Sequence, residues 1–177
     1  MVMGMLAAGG LPILTDQVRQ ADEDNPRGYF EFEKVKELGN SIDKSWVRDA
    51  RGNAVKVISH LLKELPDDNF YRIIFVRRNL EEVITSQNIM LDRQAEPNPV
   101  DDAKAIELYR KHIVNVRFLV RRKSNLEMIE LTYSDTLSDP ESAAEHINQF
   151  VGGKLDQEEM AAIVDKRLYR NRKNRLE

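Results

Sequence analysis

Cysteine is absent from all 177 residues, which removes disulfide frameworks, thiolate metal sites and cysteine nucleophiles together. A strong charge of one sign is absent too. The formal net charge is −3 with 32% charged residues, so nothing in the bulk electrostatics draws the chain to DNA, RNA or an anionic membrane. Any anion site has to be local. Long apolar runs are also missing. The opening run from Met1 to Ala8 has no basic leading region and is far too short to span a bilayer, so no signal peptide or membrane anchor is expected and a cytoplasmic location follows by default. The three histidines lack ligand spacing and the carboxylates are scattered, so no metal is expected. Aromatic residues do not interleave with a basic face as single-strand nucleic-acid binders require.

What is present has the make-up of one domain over residues 1–177: 41% hydrophobic content and no repeat, linker or low-complexity tract. Three short runs carry the apolar, β-branched signature of strands buried on both faces, namely residues 54–59, 71–76 and 127–132. Helical patterns lie around and between them. Met1 to Ala8 reads as a buried helix stopped by Gly9-Gly10 and Pro12. Phe32, Val35 and Leu38 suggest another. Asn79 reads as an N-cap with Glu81 and Glu82 in the first turn, and Val83, Ile84, Ile89 and Met90 continue that helix to about Arg93. After a polar loop at 95–100, Asp101 opens a long helix with a stripe of Ile106, Leu108, Ile113, Val116 and Val120. Asp139-Pro140 starts a helix that Gly152-Gly153 ends, and Asp156 starts one more before a basic tail from Lys166. Strands alternating with helices predict an α/β fold with a mostly parallel sheet, in which ligands bind just past the carboxyl ends of the strands.

Past the second run stand Arg77-Arg78-Asn79, two glutamates and, further along the helix, Thr85-Ser86. An arginine fork at a strand end, with a helix start beside it and a hydroxyl on that helix, can hold one phosphate. The same residues also fit a plain ion pair between an arginine and the first-turn glutamates. His60, directly after the first run, is placed for acid–base work, since imidazole has a suitable unperturbed pKa; it fits a helix-capping or core histidine equally well. His112 and His146 lie within helical stretches and read as structural. The segment Asn25-Pro26-Arg27-Gly28-Tyr29-Phe30-Glu31 offers Arg27, Tyr29 and Glu31 to an acceptor, or forms only a structural turn. The basic residues from Lys166 to Arg175 are either a solvated tail or a cover that neutralises an anion.

The order of an arginine at a strand end, an acidic helix start and a serine eight positions later resembles the 3′-phosphate site of the sulfotransferases that use 3′-phosphoadenosine 5′-phosphosulfate. Arg78 and Ser86 occupy the matching positions, while Arg77 does not. The segments 25–31, Met128 through Tyr133-Ser134-Asp135 to Asp139-Pro140, and Phe150-Val151-Gly152 are similar to bacterial members and fall in the family's order. Ser59-His60-Leu61 resembles the family's lysine-(serine or threonine)-histidine-leucine segment, with Ile58 at the lysine position and Lys56 two residues back. The family's arginine-lysine-glycine motif is not present.

The resemblance implies a three-layer sheet related to P-loop nucleotide folds and lacking its first strand. It implies sulfuryl transfer from that co-substrate, without a metal, to a small-molecule, carbohydrate or peptide acceptor bearing a hydroxyl or amine. Arg78 and Ser86 would hold the 3′-phosphate, Tyr133 would pack on adenine unless it only caps the core, and His60 would be the base. It further implies a reading frame that continues upstream of Met1 with a buried strand and a glycine-containing phosphate loop. A non-catalytic nucleotide- or protein-binding module of the same fold is the alternative. A phosphoryl-transfer kinase lacks both its glycine-rich lysine loop and its Mg²⁺ carboxylate here.

Overall fold

The computed structural model describes residues 1–16, 18, 28–94 and 100–165, with backbone alone for 89–94. Helix α1 (Val2–Ala8) is followed by a 3₁₀ turn at Glu33–Val35, helix α2 (Trp46–Asp49), a second 3₁₀ segment at Ser59–Glu64 and strand β1 (Tyr71–Arg77). Then come α3 (Leu80–Gln94), α4 (Asp102–Arg122), β2 (Leu126–Thr132), α5 (Tyr133–Ser138), α6 (Pro140–Val151) and α7 (Gln157–Ala162). Strands β1 and β2 pair in parallel, from Tyr71 opposite Leu126 to Arg77 opposite Thr132. A parallel pair needs a crossover, and α3 with α4 supplies it. The fold is therefore mixed α/β, with a small open sheet.

Both faces of that sheet are covered, as its continuous apolar strands require. Ile74, Ile129 and Leu131 pack with Met5, Leu6, Ile147 and Met160 from α1, α6 and α7. Ile73, Phe75 and Met128 face the other way, toward Leu38, Leu62 and Val116. Side chains alternate along a strand, so one strand serves two cores. The approach of α1 to α7 depends on Gly9, because a Cβ there would stand 2.6 Å from Met160 Cγ.

The helix starts lie where their caps stand in the sequence. Asn79 Oδ1 accepts from the Glu81 and Glu82 N–H groups at 2.9 and 3.2 Å. Asp101, Asp139 and Asp156 accept from Lys104, Ser142 and Glu159 N–H in the same way. Each such cap is worth about 1 kcal/mol.

Two expectations are corrected. The run 54–59 is not a strand: Ala54 makes a single parallel bridge to Ile13, and Ser59 already begins the 3₁₀ segment. Extended backbone becomes a strand only when a neighbour takes its hydrogen bonds, and among the described residues 55–58 have no strand beside them. Phe32, Val35 and Leu38 do not continue as a helix beyond the turn at Glu33–Val35, although Val35 and Leu38 are buried. Tyr133 directly follows β2 and opens α5, which Thr136 ties to the strand end by donating from Oγ1 to the Thr132 carbonyl at 3.0 Å.

Candidate functional site

Because Arg77 lies opposite Thr132, the next residues along each chain, Arg78 and Tyr133, emerge side by side at the carboxyl ends of the strands. The Arg78 guanidinium carbon stands 4.7 Å from the Tyr133 ring centroid. Such a cation–π contact leaves the in-plane N–H donors of the guanidinium unspent. Arg78 Nε is buried without a hydrogen-bond partner, and among the described residues Arg78 makes no ion pair with Glu81 or Glu82. A buried guanidinium N–H left without an acceptor is costly.

Arg77 Nε is likewise buried without a partner, but the rest of its guanidinium is differently placed. It reaches Glu130 Oε2 at 3.3 Å, and Arg117 grips the same carboxylate at 2.5 and 2.7 Å. Hydrogen bonding from Arg117, with a lesser contribution from Arg77, holds the Glu130 carboxyl below its ordinary pKa. Arg77 is therefore a structural partner of β2. Ser86 is half-buried on α3, two turns beyond the Asn79 cap.

His60 is exposed on the 3₁₀ segment Ser59–Glu64, and its ring stacks on that of His112 from α4 with centroids 3.8 Å apart. Ser59 Oγ and His112 Nε2 are 2.8 Å apart. Burial, reinforced by the charge of His60, lowers the His112 pKa. The sequence reads His112 as structural and does not place it beside His60. Its one signal was position, since it stands four residues before Val116, the buried residue of α4. His146 is exposed on α6 and takes no part.

Tyr29 and Glu31 meet at Lys56. The Lys56 ammonium donates to the Tyr29 carbonyl at 3.1 Å and to Glu31 Oε1 at 3.3 Å, and it lies 5.9 Å from the Tyr29 ring centroid. Phe30 between them has φ 52°, a left-handed backbone uncommon outside glycine. Arg27 and the basic tail from Lys166 lie outside the described residues.

A cleft of about 1190 Å³ runs between residues 54–57 and β1. Tyr29, Lys56, Ser59 and Tyr133 line it, whereas Glu31, His60, Arg78 and Ser86 do not. The structure thus joins Arg78 to Tyr133, His60 to His112 and Ser59, and Tyr29 and Glu31 to Lys56, as three small groups. Among the described residues no cluster of three His, Asp or Glu side chains is arranged to hold a metal ion, and no helix is long and apolar enough to cross a membrane. No protein-family model, curated protein or solved structure matches the chain.

Proposed function

We propose that this chain is a sulfotransferase-type protein of a three-layer, P-loop-like nucleotide fold, which takes 3′-phosphoadenosine 5′-phosphosulfate at the carboxyl ends of β1 and β2. The observation that carries the reading is the Arg78–Tyr133 pair, in which a buried guanidinium N–H without a partner sits against an aromatic ring. Phosphate is a matching acceptor for that donor, and adenine is a matching neighbour for the ring. Arg78 covers one face of Tyr133, and adenine packs on the ring as the guanidinium turns outward to the 3′-phosphate. Ser86 on α3 adds a hydroxyl.

In the transfer, an acceptor hydroxyl oxygen forms a bond to sulfur while the bond from sulfur to the 5′-phosphate oxygen breaks, releasing adenosine 3′,5′-bisphosphate. The acceptor proton goes to a ring nitrogen of His60. His112 supports this step because its lowered pKa keeps it neutral under His60, so the new imidazolium faces no second cation. Tyr29 and Glu31, gathered by Lys56, are assigned to the acceptor side.

Thermal unfolding with two nucleotides tests the proposal. Adenosine 3′,5′-bisphosphate at about 100 times its Kd should stabilise the chain by about 2.7 kcal/mol, a shift of roughly 5–10 °C. Adenosine 5′-monophosphate should do much less. Arg78→Ala should weaken the bisphosphate by roughly 10- to 100-fold, the loss of a charge-assisted bond. Equal shifts from the two nucleotides, or an unaltered response in Arg78→Ala, would overturn the assignment. His60→Ala should leave the bisphosphate shift unchanged and, where transfer is measured, lower turnover by about 10²–10⁴-fold.

A further inference from the structure

Helix α4 carries apolar side chains on two opposite faces. Inward, Val116 is buried and Leu119 packs beside it in the core that holds Leu38 and Leu62. Outward, Val114 and Phe118 remain 60% and 58% exposed, although a surface helix ordinarily turns polar groups to water. Four cations frame that outer pair. Arg110 and Lys111 stand four and three residues before Val114, and Arg121 and Arg122 three and four residues after Phe118, spacings that bring all six to one face of a helix. At the rise of an α-helix the patch is about 18 Å long. The sequence holds no Asp or Glu between Glu107 and Glu127, although the whole chain has a net charge of −3.

These cations differ from the others on or beside the helix. Arg117 is bonded to Glu130 and Lys123 to Asp67, whereas among the described residues Arg110, Lys111, Arg121 and Arg122 enter no ion pair. The Arg122 guanidinium carbon lies 5.4 Å from the Phe118 ring centroid, so its stem runs along the apolar pair while its N–H donors stay free for an anion.

We infer that this face of α4 rests on an anionic phospholipid bilayer, with Val114 and Phe118 entering the boundary between headgroups and acyl chains and the four cations meeting the anionic headgroups around them. Apolar side chains framed by Lys and Arg are what a helix lying in a membrane surface presents. Long basic side chains suit that place, because their stems stay with the apolar pair while their charges reach the headgroups. Size decides against a folded protein as the partner. A strip about 18 Å long and roughly 10 Å wide has an area on the order of 200 Å², well below the roughly 800 Å² per partner of a stable protein interface, whereas a bilayer needs no matching surface. Nothing in this depends on nucleotide binding.

Sedimentation of the full chain with lipid vesicles tests the inference. Phosphatidylcholine vesicles containing about 30% phosphatidylserine should bind at least about tenfold more strongly than phosphatidylcholine alone, and added salt should weaken that binding. Phe118→Ser, which keeps every charge, and the pair Arg121→Glu with Arg122→Glu should each weaken it by roughly tenfold. All three positions are exposed, so the variants should melt as the parent does. Val114→Ser, or Arg110→Glu with Lys111→Glu, stands in for a variant that melts lower. Equal binding to the two kinds of vesicle overturns the inference, and so does binding that survives either variant, because the basic tail from Lys166 or charge alone would then carry it. Tighter capture of polyglutamate than of the vesicles would show an acidic polypeptide as the partner, and dimerisation in solution that Phe118→Ser abolishes would show a second copy of the chain. Either result would also overturn it.

Discussion

Two runs of this chain have almost the same apolar, β-branched character and differ in outcome. Residues 71–77 pair along their whole length with β2, and their side chains feed both cores. In residues 54–58, Ala54, Val55 and Val57 send side chains into the same two cores, but the run holds one bridge, at Ala54. The difference is not propensity, because Val, Ile and alternation occur in both. A strand is a property of a pair, and β1 has β2 beside it while residues 55–57 line a cleft.

Truncating one side chain in each region should separate them most. Leu131→Ala, in β2 and 7% exposed, should cost about 2–5 kcal/mol in denaturant unfolding, as buried leucines do. Val57→Ala, half-exposed at the cleft wall, should cost about 1 kcal/mol or less, because one side of it already lacks packing partners. Equal costs would mean that the run 54–58 is as firmly embedded as the sheet.

Native-state hydrogen exchange should rank the same two regions without mutation. The β1 amides bonded to β2 should exchange at least about 100-fold more slowly than those of Val55, Lys56 and Val57, which would open without breaking a ladder. Comparable rates would break the contrast.

Electrostatics should sharpen it at smaller scale. Glu130→Ala removes the carboxylate that ties Arg77 of β1 to Arg117 of α4, and partial exposure limits the loss to about 1 kcal/mol, reduced further by salt. Lys56→Ala, at the exposed counterpart with Glu31, should cost no more than about 0.5 kcal/mol. A double-mutant comparison in low and high salt checks both.

The smallest effect should come from the histidine stack at the end of the unpaired run. Burial lowers the His112 pKa in the folded chain, so the unfolded chain binds more protons and stability rises with pH. Acidification below about pH 6.5 should therefore weaken the fold until folded His112 is protonated as well. Asp16, Asp68 and Glu130 have lowered values and stay ionised through that window, so their contribution is lost only at more acid pH. His112→Gln should flatten the slope between pH 7.5 and 5.5 in stability measurements. An unchanged slope would show that His112 does not set it.

Much of the helical outline was legible, because caps are local chemistry. Asn79, Asp101, Asp139-Pro140 and Asp156 each start a helix through a side chain that bonds backbone two or three residues ahead. The 3₁₀ turn at Glu33–Val35 and the lost strand at 54–59 were not legible, because their lengths depend on neighbours far along the chain. At the site, the preference for Arg78 over Arg77 came from spacing in the family resemblance, and the structure gives Arg77 to Glu130 instead. The contacts of His112 were not legible, because its partners lie far along the chain, Ser59 by 53 residues.

By itself the sequence determined where the helices at Asn79, Asp101, Asp139-Pro140 and Asp156 begin, that the runs around 71–77 and 126–132 form strands, and that the chain holds no cysteine. Those follow from composition, periodicity and bonds within a few residues. The tertiary structure alone decided that Arg78 meets Tyr133, that His60 lies on His112, and that Ala54, Val55 and Val57 share two cores with β1. Register and packing bring together groups that no local rule connects, and strand formation awaits whatever backbone stands on the other side.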